Sequence, residues 1–194
     1  MTTLPPSEHT PLTDAEIEAA VVGEPAPTYQ PIVLVDYDPE WPLLFAREEM
    51  RIRTALGPRA LLVEHAGSTS VPGLPAKPII DIVLVVRDSS DERAYAPSLE
   101  AAGYVLRIRE PDWYEHRLFK GPDTNVNVHT FSEGCEEIDR MLLFRDWLRE
   151  HEDDCATYER AKRELAAREW KYVQNYADAK SAVVREILTR ADAG

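Results

Sequence analysis

The stretch His65-Ala66-Gly67-Ser68-Thr69-Ser70, followed by Lys77 and Asp81, concentrates the side chains best suited to chemistry. A small-residue turn such as Gly67-Ser68-Thr69 exposes backbone N–H groups and two hydroxyls. Placed after a strand, it can cradle phosphate oxygens. Lys77 adds a cation. Asp81 stands in Ile79–Val86, a run otherwise almost wholly apolar and β-branched, as in a central strand buried on both faces. A carboxylate there must be paired, hydrogen-bonded or metal-bound, because burying it bare costs several kcal/mol. The plain alternative is an ordinary turn with a structural aspartate. Turn, lysine and strand-borne carboxylate within fifteen residues favour phosphate binding, with Asp81 on a metal or an acceptor.

Other polar residues carry two readings each. In Asn125-Val126-Asn127-Val128-His129-Thr130-Phe131, strand alternation puts Asn127 and His129 on one face and the valines on the other. With the valines in the core, His129 faces either a cleft shared with Asp81 or solvent. His65 is either a general base and phosphate donor or a brace for the turn. His116 and Arg117 point to opposite faces, so only one of them can face the cleft. Arg117, with its planar fork, is the better phosphate ligand, and a solvated edge-strand arginine is the alternative. Arg145 and Arg149, four apart, share a helix face. With Lys162 they could wall a nucleotide cleft or form salt bridges with Asp146, Glu150 and Glu159. Most aromatic residues fall at core spacing, with Trp113 and Tyr114 on a loop.

The elements that must position these groups follow from periodicity. Strands are expected at Ile32–Val35, Ala60–Glu64, Ile79–Val86 and Tyr104–Ile108, and a hairpin from Trp113–Lys120 and Val126–Phe131 around Gly121-Pro122-Asp123-Thr124. A helix runs from Asp38 as N-cap and Pro39 to the stop at Gly57. Another covers Asp91–Ala102, kinked or broken by Pro97. Three more are expected at Glu136–Glu150, Asp153–Trp170 and Tyr176–Thr189. Mixed strands and helices followed by helices alone predict an α+β fold. Its mixed-sheet core spans 31–135 and its helical part 136–194. Residues 1–30, rich in proline, read as an appendage. It carries one short helix opened by the capping box Thr13-Asp14-Ala15-Glu16.

Composition limits the partners. The 194 residues hold 22 Lys and Arg against 35 Asp and Glu, a net charge of −13. Five of those negative charges lie in residues 1–30, which have no Lys or Arg, leaving −8 on residues 31–194. Such a field repels duplex nucleic acid, yet admits a small phosphorylated ligand held by a few local cations. No apolar stretch approaches the ~20 residues of a membrane span. Met1 to Pro11 lacks a signal-like apolar core, and the two cysteines form no metal or disulfide spacing, so a cytoplasmic setting is expected. P-loop, nucleophile-elbow and zinc-finger patterns are absent.

The block His65-Ala66-Gly67-Ser68-Thr69-Ser70-Val71-Pro72-Gly73-Leu74, with Ala76-Lys77-Pro78-Ile79-Ile80-Asp81-Ile82, resembles the signature of the GrpB family. Tyr37-Asp38-Pro39-Glu40-Trp41, Ala102-Gly103-Tyr104, Val128-His129 and Leu143-Phe144-Arg145-Asp146-Trp147-Leu148-Arg149 agree with it, as do Tyr158 and Lys162. The match spans about 31 to 190. The resemblance implies a nucleotidyltransferase-like fold of the polymerase-β type. There a Gly-Ser turn holds nucleotide phosphates, and an Asp-x-Asp pair with a third carboxylate binds two magnesium ions. Here Asp81 matches the first carboxylate, Val83 replaces the second, and Asn127 and His129 stand where the third would be. The resemblance then implies either a single divalent ion on Asp81 and His129, magnesium or manganese or, given the histidine, zinc, or no metal at all.

The function expected is transfer of a nucleotidyl group from a nucleoside triphosphate to a small acceptor, or use of ATP to activate one. Gly67, Ser68, Thr69, Lys77, Arg117, Arg145 and Lys162 would bind the nucleotide, with Asp81 and His65 catalytic. The alternatives are a catalytically degenerate nucleotide-binding or regulatory module, and an interaction module whose acidic tail docks a basic partner.

Overall fold

The computed structural model describes residues 11–24 and 31–193. Its centre is a five-stranded mixed sheet of β1 (Leu62–Ala66), β2 (Ile80–Val86), β3 (Val105–Glu110), β4 (His116–Lys120) and β5 (Val126–Ser132). The strands lie in the order β1-β2-β5-β4-β3, with only β2 and β5 parallel. The apolar run around Asp81 becomes the strand next to the centre. Its side chains alternate between two cores, which is why it reads as continuously hydrophobic. Ile80, Ile82, Leu84 and Val86 face α2 (Trp41–Leu56) and α3 (Ala96–Ala101) in the larger core. Val83 and Val85 face α4 (Glu136–Glu150) in a second core with Phe131 and Ile138.

Four expectations shift. Ile32–Val35 makes no strand. Val35 forms only a two-bond bridge with Ala76, and Val33 is 62% exposed, so no buried face holds the segment in a sheet. The first long helix starts at Trp41. Asp38 instead closes a turn by accepting from Glu40 N, and Pro42 occupies the first helical turn. Asp91–Ala102 splits into a 3₁₀ turn, Glu92–Ala94, and α3, which places Pro97 where its missing N–H costs no bond. The C-terminal helices are α5 (Glu152–Ala166), α6 (Val173–Ala179) and α7 (Ser181–Ala191), so the helix expected over Tyr176–Thr189 is interrupted at Lys180.

These helices meet the loop after β1 in a third apolar cluster of Val71, Leu74, Leu148, Tyr158 and Ile187. The N-terminal helix α1 (Asp14–Ala20) carries the expected Thr13–Glu16 capping box. It docks on the edge of the sheet: Val22 N donates to Arg107 O, Val21 bridges Ile108, and Leu12 N donates to the Asp178 carboxylate. Among the described residues no helix is long and apolar enough to cross a membrane.

Candidate functional site

A cleft of about 510 Å³ opens between the face of β2, β5 and β4, the turn after β1, and helices α1, α5 and α6. Strand register builds its floor. Ala66 pairs with Asp81, Asp81 with Asn127, and Asn127 with Lys120, so the last three side chains form a row across β2, β5 and β4. Lys120 Nζ donates to Asn127 Oδ1 at 2.5 Å, which fixes the amide, and Asn127 Nδ2 donates to Asp81 Oδ1 at 2.7 Å. Burial pushes the Asp81 carboxyl up. His129, Asn127 and Lys77 outweigh that and hold it below the usual carboxylate value.

The turn after β1 is fitted onto this aspartate. Gly67 has φ +65° and ψ −173°, and a Cβ placed there would lie 2.4 Å from Asp81 Oδ2. Ser68–Ser70 then forms a single 3₁₀ turn. Gly67, Ser68 and Thr69 line the cleft, but the Thr69 hydroxyl is committed inside the loop: it donates to Ile79 O at 3.1 Å. Since its proton goes there, His65 Nε2, 3.1 Å away, must donate to it.

His65 is therefore a brace. Its ring stacks on Phe45 at 4.8 Å on the far side of β1, and burial drives its pKa down to about 4. The pairing of His65 with Ile82 sets this orientation, because both point into the α2 core.

His129 does reach the cleft, with Nε2 3.6 Å from Asp81 Oδ1. Behind it, His116 Nδ1 contacts Glu110 Oε2 at 2.6 Å and His116 Nε2 contacts His129 Nδ1 at 3.1 Å. Burial holds His116 down to about 4, so it is neutral. With its Nδ1–H on Glu110, its Nε2 accepts from His129 Nδ1–H, and this turns His129 Nε2 toward Asp81. The two candidate metal ligands thus come together. Among the described residues, however, no group of three or more His, Cys, Asp and Glu could hold a metal ion. Val83, at the second-carboxylate position, is fully buried among apolar side chains.

Four of the chain's five lysines line this cleft: Lys77, Lys120, Lys162 and Lys180. The ammonium groups of Lys77 and Lys180 both lie over the Tyr176 ring, 5.4 and 4.9 Å from its centroid. Lys162 Nζ donates to Pro75 O and lies over the Tyr158 ring. Burial, and then Lys180 nearby, lowers Lys77 to about 8 and Lys162 to about 7. Burial also lowers Lys120 and Lys180, against the attraction of Asp81. The Tyr176 hydroxyl is buried and has no hydrogen-bond partner among the described residues.

Besides His65, two sequence candidates lie outside the cleft. Arg117 points to the opposite face of the sheet, its Nε 2.6 Å from Glu92 and its Nη2 3.0 Å from Glu115, because alternation along β4 gives the cleft face to His116 and Lys120. Arg145 stands behind the turn, donating to Glu64 at 2.8 Å and to His65 O at 2.9 Å, and is further held by Asp146. Arg149 donates through two nitrogens to Ser70 O. These arginines staple the loop.

Sequence reasoning missed Lys120, Lys180 and Tyr176 as site residues. The available signal was the scarcity of lysine, 5 of 22 basic residues.

Comparison with known proteins agrees with the motif reading of the chain. The family model described as GrpB protein matches residues 31–190. A UPF0157 protein from Halalkalibacterium halodurans is 62% identical over 187 residues, covering 96% of each chain. A dephospho-CoA kinase from Mycolicibacterium paratuberculosis is 33% identical over 187 residues, covering 83% of this chain but 46% of that protein. The crystal structure of the conserved protein GrpB from Enterococcus faecalis superposes with a TM-score of 0.72 at 32% identity, covering 83% of this chain and 98% of that one. The chain belongs to the GrpB family.

Proposed function

We propose that the cleft binds a nucleoside triphosphate and that the chain transfers its nucleotidyl group to a small acceptor, on a fold of the nucleotidyltransferase type. The observation that carries this reading is the convergence of the Gly67-Ser68 turn, Asp81 and four lysines on one cleft of a protein whose net charge is −13. In this scheme the turn's backbone N–H groups and the lysines hold the phosphates. The acceptor oxygen attacks the α-phosphorus, the bond to pyrophosphate breaks, and Asp81 receives the acceptor's proton. The donor set does not fit the metal pair of that superfamily, since Asp81 alone remains of its three carboxylates, and no step is routed through a metal.

A second reading, a nucleotide-binding or regulatory module without turnover, is favoured by Val83 and Asn127 at the lost carboxylate positions. The dephospho-CoA kinase relative, less than half of which is matched, supports it as a unit joined to a longer enzyme.

The test is a thermal-shift and turnover panel of nucleoside triphosphates with magnesium, manganese or chelator, on wild type and Asp81→Asn. Saturating nucleotide at about 100 times Kd stabilises by ~2.7 kcal/mol, and such a shift is expected in both proteins. Transfer is expected only in wild type. Binding without turnover in wild type selects the module. No shift with any nucleotide overturns both readings.

A further inference from the structure

The cleft's basic groups are unusual in type as well as number. Of the 17 arginines only Arg107 lines it, against four of five lysines. The arginines near it are bound to carboxylates and loop carbonyls, as with Arg117 on Glu92 and Arg145 on Glu64. Among the described residues the lining has five basic side chains and two acidic ones, Asp81 and Glu24, a surplus of three positive charges when every lysine is protonated. Ammonium groups are compact point charges, suited to the spread charge of a phosphate chain rather than to one planar carboxylate. The Tyr176 ring lies on the same wall, beside Lys77 and Lys180.

We propose that Lys77, Lys120, Lys162 and Lys180 stand in for the metal pair, making the cleft a metal-independent site for anions of two or more linked phosphoryl groups. This rests on the phosphate reading of the cleft and not on nucleotidyl transfer. A single phosphate group carries about two negative charges and leaves the surplus partly uncompensated, whereas a diphosphate chain matches it, a triphosphate chain more than offsets it, and both reach more of the four ammonium groups.

The test is calorimetric titration of the full chain with inorganic tripolyphosphate, pyrophosphate and orthophosphate, in chelator and in magnesium. Tripolyphosphate is expected to bind at least about tenfold more tightly than orthophosphate in chelator, and within about threefold of its affinity in magnesium. Lys120→Met and Lys180→Met are each expected to weaken it about tenfold, and Lys120→Arg to recover part of the loss. Arg163→Gln, an exposed residue outside the cleft, is expected to bind like wild type. Circular dichroism confirms that each variant is folded.

Binding that appears only with magnesium or manganese overturns the proposal. So does equal affinity for orthophosphate and tripolyphosphate, or no binding in either buffer. Tripolyphosphate binding in chelator without any ATP turnover sinks the transfer reading and leaves this one standing. Magnesium-dependent turnover without metal-free tripolyphosphate binding does the reverse.

Discussion

Gly67 is the residue on which the site's geometry turns. Its φ of +65° with ψ of −173° lies in a region essentially reserved for glycine, and the space a Cβ would need is taken by the Asp81 carboxylate. Gly67→Ala is therefore expected to cost about 1–3 kcal/mol from the backbone alone and more from the clash. It should lower Tm and abolish oligophosphate binding. In a double-mutant cycle, Asp81→Ala should recover the share of the clash due to the carboxylate, though its Cβ stays 3.0 Å away, so the pair is less destabilised than the sum of its members; strict additivity would show that the two do not touch. The motif was legible as a turn twelve residues ahead of an aspartate. Its contact was not, because only the register of β1 on β2, with Ala66 opposite Asp81, brings the two together. Arg117 shows the same limit. Alternation separates it from His116, but which of the two faces the cleft depends on β4 pairing with β5. Arg117→Gln is expected to destabilise by roughly 2 kcal/mol or more, since it breaks a largely buried pair with Glu92, yet to leave tripolyphosphate affinity unchanged. A loss of affinity at constant stability would return Arg117 to the site.

At the scale of elements, the site depends on two features that periodicity handles unequally. The break between α6 and α7 places Lys180 in the cleft wall, and no Pro or Gly marks it. Lys180 N bonds Ala177 O in a 3₁₀ step while α7 restarts with Val184 N on Lys180 O, so the interruption comes from tertiary packing around Tyr176 and Ile187 rather than from local propensity. The N-terminal helix is the opposite case. Its capping box was plain in the sequence, but its docking was not, because its contacts lie far along the chain, at Arg107 and Ile108 on β3 and at Lys171, Tyr172 and Asp178. Asp14 and Glu18 engage Lys171, Glu18 accepts from the Tyr172 hydroxyl, and Ile17 is buried and lines the cleft. The acids that composition offered for a basic partner are thus partly used within the chain. One buried isoleucine contributes about 1.5–3 kcal/mol, enough to dock a short strap but less than global stability. Ile17→Ala is accordingly expected to speed proteolysis within residues 11–24 while Tm moves little, since a weakly docked element opens below global unfolding. A large drop in Tm with unchanged proteolysis would show that α1 is integral to the main core.

For the molecule as a whole, the charge pattern sets stability against binding. A chain of net charge −13 gathers most of its lysines where they repel one another and are withdrawn from water, and their lowered pKa values register that strain. Composition showed the acidic excess and implied a local cationic pocket. It could not show which lysines meet, because they come from the loop before β2, from β4, from α5 and from the α6–α7 break. Lys180→Met is expected to hold or raise the Tm of the ligand-free protein while weakening phosphate binding, the reverse of an ordinary core substitution. The pH dependence follows with its sign. A lysine whose pKa is lower folded than unfolded destabilises fully below its folded pKa, and that penalty fades as pH rises toward the unfolded value of about 10.4. The advantage of Lys180→Met should therefore be greatest near pH 7 and shrink toward pH 10. Binding runs the other way. An anion beside Lys162, near 7 when free, and Lys77, near 8, favours their protonated forms, so association at pH 8 must take up protons. The groups around Lys162 are Lys77, Lys180, Glu159 and Cys155, and around Lys77 they are Lys180, Asp81 and Lys120. The two lysines with pKa values near 7 and 8 thus supply the uptake. Affinity for tripolyphosphate should fall between pH 7.5 and 9.5 by up to about tenfold per pH unit for each lysine titrated. Calorimetry at pH 8 in two buffers of different ionisation enthalpy measures the uptake directly. A proton uptake in wild type that exceeds that of Lys162→Met is the expected result, and equal values in the two proteins would mean that the phosphates do not sit beside Lys162.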